Sequence, residues 1–151
     1  MISPGPGLIL FMYIDKNKPT KKHSLGRSER VKSRKLTGML FDTGLHFSVF
    51  PFRVHYLAIP GKATLQAGFT AGTRYFKKAT HRNRVKRLMR ETYRLQKESL
   101  QQKVFDRSIN LAVFFVYTGK DLPEPEELGT KMLAVLQKLE RLVYEIPAAH
   151  S

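Results

Sequence analysis

The segment from Thr80 to Gln101 constrains the fold more than any other part of the chain. Val85, Leu88, Met89, Thr92, Gln96 and Leu100 recur at three- and four-residue steps, which places them on one stripe of an α-helix. Arg82, Lys86, Arg90 and Arg94 recur at four-residue steps on another side and make a basic ridge. Thr80 is the expected N-cap, with the helix running from about His81 to Gln101. A helix of this kind must lay its stripe on a core while holding out a row of like charges. Those charges repel one another until an anion lies on them.

The remaining segments supply the core. A first helix is expected from Ser28, with Val31, Leu36, Met39, Leu40 and Phe41 as its partial apolar face and Gly44 at its C-terminal cap. Aromatic and β-branched residues predict a short strand near His46–Phe50 and a longer one at Phe52–Ile59, separated by Pro51. A third strand over Ala63–Ala71 alternates Leu65, Ala67 and Phe69 with polar or small residues. Leu111–Tyr117 is a continuous apolar run of strand length and is expected at the sheet centre. Pro123 and Pro125 followed by Glu126 and Glu127 mark a helix start, and Leu128, Met132, Leu136, Leu139, Val143 and Ile146 its inner face. An aspartate at Phe114 or Leu136 is expected to unfold the protein. The order is α-β-β-β-α-β-α, an α+β fold with a single sheet of about four strands and three helices.

Residues 25–151 read as one domain. Residues 1–24 read as an N-terminal extension followed by a flexible basic arm over Lys16–His23. The longest apolar run, Gly7 to Ile14, is too short to cross a bilayer and lacks the flanks of a signal peptide. No membrane partner is expected, and the location is expected to be cytoplasmic.

Charge points to the partner. The chain has 27 Lys and Arg against 12 Asp and Glu, a net charge of +15. Two stretches, Lys16–Lys35 and Arg74–Arg94, hold 18 of the 27 basic residues, so one binding surface is built from segments far apart in sequence. A polyanion such as RNA fits that surface. The absence of cysteine excludes disulfides, thiolate zinc sites and a thiol nucleophile. Asp15, Glu29, Asp42, Glu91 and Glu98 do not pair at metal-ligand spacing, and the five histidines are scattered. His55 and His81 are conceivable as an acid–base pair but read more simply as packing or capping residues. No catalytic residue, metal site or protein-bound cofactor is expected.

Thr80-His81-Arg82-Asn83-Arg84-Val85-Lys86-Arg87-Leu88-Met89-Arg90-Glu91-Thr92-Tyr93-Arg94 closely resembles the Arg-Asn-Arg signature helix of the bacterial ribonuclease P protein family. Supporting matches are Gly68–Arg74, Phe76–Ala79, Glu29–Lys35, Leu40-Phe41, Gly44 and Arg53–Tyr56, so the likeness spans about Leu25 to Ile146. Thr73-Arg74 stands where the family usually has two lysines, and Thr37 and Gly38 depart from its first helix. The resemblance implies a subunit of a ribonucleoprotein endoribonuclease, in which a catalytic RNA removes the 5′ leader of precursor tRNA. It further implies that Mg2+ ions sit on that RNA and that a left-handed β-α-β crossover surrounds the signature helix. Arg82, Asn83, Arg84, Lys86, Arg87 and Arg90 are then expected to contact the catalytic RNA, with Asn83 bonding either RNA or its own backbone. A cleft between the first helix and the sheet is expected to receive the single-stranded leader, along Lys32, Lys35, Arg53 and Arg74. Phe41, Phe52 and Tyr56 offer flat surfaces either to leader bases or to the core. The rival reading is a structural RNA-binding protein of ribosomal type with no part in tRNA processing.

Overall fold

A computed structural model describes residues 25–26 and 29–146. The N-terminal extension and basic arm expected over residues 1–24 lie outside the described residues. The elements are α1 (Arg34–Asp42), β1 (Leu45–Val49), β2 (Phe52–Ile59), β3 (Thr64–Ala71), α2 (Ala79–Gln96), α3 (Glu98–Asp106), β4 (Asn110–Tyr117) and α4 (Pro125–Glu145). They form the expected α+β arrangement with one four-stranded sheet in the order β1-β2-β4-β3. β4 is antiparallel to β2 and parallel to β3, so the chain must cross over through α2 and α3 to reach the centre of the sheet.

Among the described residues the three-helix expectation is corrected to four. The periodic stripe continues through Leu100, but the chain bends at Lys97 and restarts as α3, burying Leu100 and Val104. Residue spacing alone does not register a bend that keeps the same face inward. The first helix also starts later than expected: Ser33 is its N-cap, its hydroxyl accepting from the Leu36 N–H at 3.3 Å. α2 begins two residues earlier than expected, with Lys78 rather than Thr80 at the cap position and no side-chain cap. The last helix begins on Pro125 with Glu126 and Glu127 in its first turn, as Pro and acids favour.

Period-two alternation gives the sheet two unlike faces. Phe52, Val54 and Tyr56 of β2, Leu65 and Ala67 of β3, and Leu111, Val113 and Phe115 of β4 join the buried core beneath α2, α3 and α4. Phe69 stacks on Phe115 with centroids 5.2 Å apart, and both rings meet Tyr93 of α2 at 5.5 Å. Gln96 fastens α2 to α4 by donating to the Gly129 carbonyl at 3.0 Å. Among the described elements α1 packs on the opposite face, against β2 and β4, and leaves part of that face uncovered by them. Phe114 belongs to this second face, so its placement in the main core is corrected. Its ring is half-buried and meets Phe41 of α1 at 5.3 Å.

The segment before α1 closes the β3 edge. Arg30 forms a parallel bridge with Ala67, the Val31 N–H donates to the Ala67 carbonyl at 3.0 Å, and Leu25 is buried in the core. Glu29 holds this segment to the α2–α3 bend through a salt bridge with buried Lys97. Its carboxylate also accepts from the Gly26 N–H at 3.0 Å and from Gln101 at 3.1 Å. Burial alone raises the Glu29 pKa, but these donors outweigh it and hold the carboxyl below its ordinary range.

Candidate RNA-binding surface

Two basic surfaces meet at one edge of the molecule. The first is the outside of α2. Its inward stripe of Val85, Met89, Thr92 and Tyr93 is fully buried, which fixes the roll of the helix and turns Asn83, Arg84, Arg87 and Arg90 to solvent. Among the described residues these four have no hydrogen-bond or ion-pair partner, so their donors are available to a ligand. Lys86 is half-buried at the flank. Arg82 is partly committed: one guanidinium nitrogen donates to the Phe76 and Lys77 carbonyls, both at 2.8 Å, and ties the preceding connection to the helix. Arg94 completes the ridge expected from the sequence but pairs with Glu91 at 2.7 Å.

The second surface is the cleft between α1 and the open sheet face. Phe41, 43% exposed, lies over His55 with ring centroids 4.4 Å apart. Arg53 is exposed on the same face of β2, and Lys32 and Lys35 are exposed at the start of α1. Toward the β3 edge this face opens into a pocket of about 440 Å³, lined among others by Lys32, Thr37, Gly68, Phe114 and Arg90. Arg90 therefore borders both surfaces. Gly68 leaves room for its neighbour: a Cβ there would lie 2.5 Å from the Phe114 ring, which would have to shift.

The expected leader-site residues separate by face. Phe52 is 0% and Tyr56 7% exposed within the core under the helices, so the expectation that they meet leader bases is corrected. Burial also raises the Tyr56 pKa. Alternation already carried that distinction, because Phe52, Val54 and Tyr56 must share one face while Arg53 and His55 share the other. Arg74 stands apart from the cleft. It lies beyond the end of β3, over Tyr75, and not among the residues lining the pocket.

His55, which the sequence reads as a packing or capping residue, is the cleft residue left out of the expected site. It is buried at the cleft floor, its Nδ1 has no partner among the described residues, and its ring lies 5.7 Å from that of His46. Burial first, then the charges of Arg53 and His46, push its pKa below the ordinary histidine value. Among the described residues no three His, Asp or Glu side chains converge as metal ligands. No described helix is long and apolar enough to cross a membrane.

The Ribonuclease P family's sequence profile matches residues 25–140. The ribonuclease P protein components of two Porphyromonas gingivalis strains, ATCC 33277 and W83, are each 32% identical to this chain over 127 residues. Each alignment covers 83% of this chain and 90% of the relative.

The chain belongs to the ribonuclease P protein family.

Solved structures agree on the fold. The Staphylococcus aureus RNase P protein superposes with a TM-score of 0.60 at 14% identity, covering 74% of this chain and 95% of that one. A second structure of the S. aureus protein gives 0.55 at 17% identity, covering 78% and 93%. As a ribonuclease P protein component, this chain is part of a ribonucleoprotein endoribonuclease of tRNA processing and associates with its RNA. The ribosomal-type alternative finds no support in these relatives.

Proposed function

We propose that the two surfaces divide the labour of this ribonuclease P subunit. The exposed side of α2, through Asn83, Arg84, Arg87 and Arg90 with Lys86 at its flank, docks on the catalytic RNA by neutralising phosphates. The cleft under α1 receives the single-stranded 5′ leader of precursor tRNA, with Phe41, backed by His55, against unpaired bases and Lys32, Lys35 and Arg53 along the phosphates. Mg2+ ions held by the RNA supply the hydrolytic chemistry, and the protein binds and orients. One observation carries this reading: Arg84, Arg87 and Arg90 on the outside of α2 are unpaired among the described residues, while an apolar stripe fixes the roll of the helix.

The test is cleavage of precursor tRNA by catalytic RNA at low Mg2+ with increasing protein. Arg84→Ala combined with Arg87→Ala leaves the apolar stripe intact and weakens assembly, each phosphate left without its arginine costing on the order of 1 kcal/mol. Saturating protein restores the wild-type maximum, because mass action overcomes a docking defect. A double variant that binds the RNA normally yet stays inactive at saturation would show these residues acting in the chemical step and refute the division.

A further inference from the structure

Tyr75 stands in the connection between β3 and α2 and is 42% exposed. Its backbone is held on the C-terminal side. Phe76 is buried, with its ring 5.9 Å from that of Tyr117, and Arg82 bonds the Phe76 and Lys77 carbonyls. The ring is therefore presented on a fixed support.

Two cations lie against it. The Arg74 guanidinium carbon is 5.5 Å from the ring centroid and the Lys120 ammonium 5.9 Å, the latter from the loop after β4. Neither has a carboxylate partner within salt-bridge distance among the described residues. Each is attracted to the ring while they repel each other, and the nearby carboxylates of Asp121, Glu124 and Glu127, which line a pocket with Lys120, stop short of an ion pair with either. An acidic peptide would answer the charges and leave the aromatic surface unused. A nucleotide with an unstacked base answers both, because every base has a face to stack and a phosphate to pair.

We propose that Tyr75, Arg74 and Lys120 form a nucleotide clamp, in which an unstacked base of the catalytic RNA lies on Tyr75 and its phosphate is held by Arg74 and Lys120. The clamp rests on the reading that α2 faces the catalytic RNA, since Arg82 makes the Tyr75 connection and α2 one rigid piece. It extends that interface past the Arg-Asn-Arg helix to the end of the sheet.

The experiment measures binding of the full chain to the catalytic RNA. Stacking on an aromatic is worth about 5- to 150-fold in affinity per base, so Tyr75→Ala weakens binding by at least about 5-fold while Tyr75→Phe keeps it. Arg74→Ala with Lys120→Ala flattens the log–log salt dependence by roughly 0.7 to 0.9 for each phosphate no longer neutralised. The chain has no tryptophan, so Tyr75→Trp places a single indole at the site, and RNA binding quenches its fluorescence. Tyr144→Ala removes another exposed ring, flanked by Lys103 and Arg107, and leaves affinity unchanged. Thermal melting confirms that each variant is folded. Wild-type binding together with an unaffected Tyr75→Ala variant overturns the clamp alone, whereas a wild-type chain that does not bind the RNA overturns the functional reading beneath it. A Tyr75→Ala defect confined to leader-bearing substrate on a preassembled holoenzyme assigns the ring to the other RNA and overturns the clamp too.

Discussion

Gly68→Ala tests the cleft through a single methyl group. Gly68 pairs with Phe114 in the parallel β3–β4 register, and the new Cβ would lie 2.5 and 2.6 Å from two Phe114 ring carbons. Ordinary carbon contacts begin near 3.5 Å, so the ring must move by about 1 Å, toward or past Phe41. Two effects compete. Alanine restricts the unfolded chain and stabilises by about 0.4–1 kcal/mol, whereas overpacking costs about 1–3 kcal/mol. The clash wins, because β-ladder bonds hold the backbone on both sides of the contact. The net loss is about 1–2 kcal/mol, a fall in Tm of roughly 2–8 °C for a domain of this size. The displaced ring also narrows the pocket, so the holoenzyme loses affinity for leader-bearing precursor tRNA but not for mature tRNA. Differential scanning calorimetry and competition binding read the two effects. Adding Phe114→Leu frees the space and recovers part of the lost stability. A Gly68→Ala variant with wild-type Tm and leader affinity, or one that Phe114→Leu fails to relieve, refutes the argument.

Leu136, 1% exposed under the sheet, carries a different expectation from Phe114 on the far face: circular dichroism should show Leu136→Asp unfolded and Phe114→Asp still folded with a lowered Tm. Below the ordinary histidine value of 6.5 the unfolded chain binds the His55 proton more readily than the folded one, so this contribution to stability is complete above pH 6.5 and declines as pH falls through the lower folded value. Urea melts at pH 7.5 and 5.5 should show a smaller pH effect in His55→Phe, and equal pH effects in both proteins would remove His55 from the account. Lys97→Met leaves Glu29 with the Gly26 and Gln101 donors only, and should cost ~2–3 kcal/mol in a chemical denaturation series. Wild-type stability in that variant would show that the pair does not secure the segment before α1.

Strong periodicity made α2, β2, β4 and α4 legible, because each repeats a pattern long enough to select one period. The break at Lys97 was not legible: Leu100 and Val104 keep the helical spacing across it, and the Glu29 that pairs with Lys97 there is far away in sequence. Phe114 was misplaced because α1 covers its face of β4, so both faces of that strand read as apolar. The basic ridge was visible as spacing, but its division into unpaired Arg90, committed Arg82 and paired Arg94 depends on carbonyls and carboxylates that spacing does not reveal. In β2 the information was present: strict alternation assigns Phe52 and Tyr56 to the core and His55 to the cleft.

The central place of β4 has a consequence for how the protein is made. β2 and β3 do not pair with each other, and each pairs with β4, a strand whose synthesis begins only at residue 110. By then the first 105 residues, with 22 basic and 5 acidic side chains, have already been synthesised. A nascent chain at that stage carries most of its charge but no completed sheet, so it can attract RNA without being able to orient it. Translation at roughly 5–20 residues per second spans the remaining segment in a few seconds. A ribosome stalled just before β4 would hold a strongly cationic, unfinished chain beside ribosomal RNA, while release past α4 supplies both the missing strand and the more acidic end of the sequence.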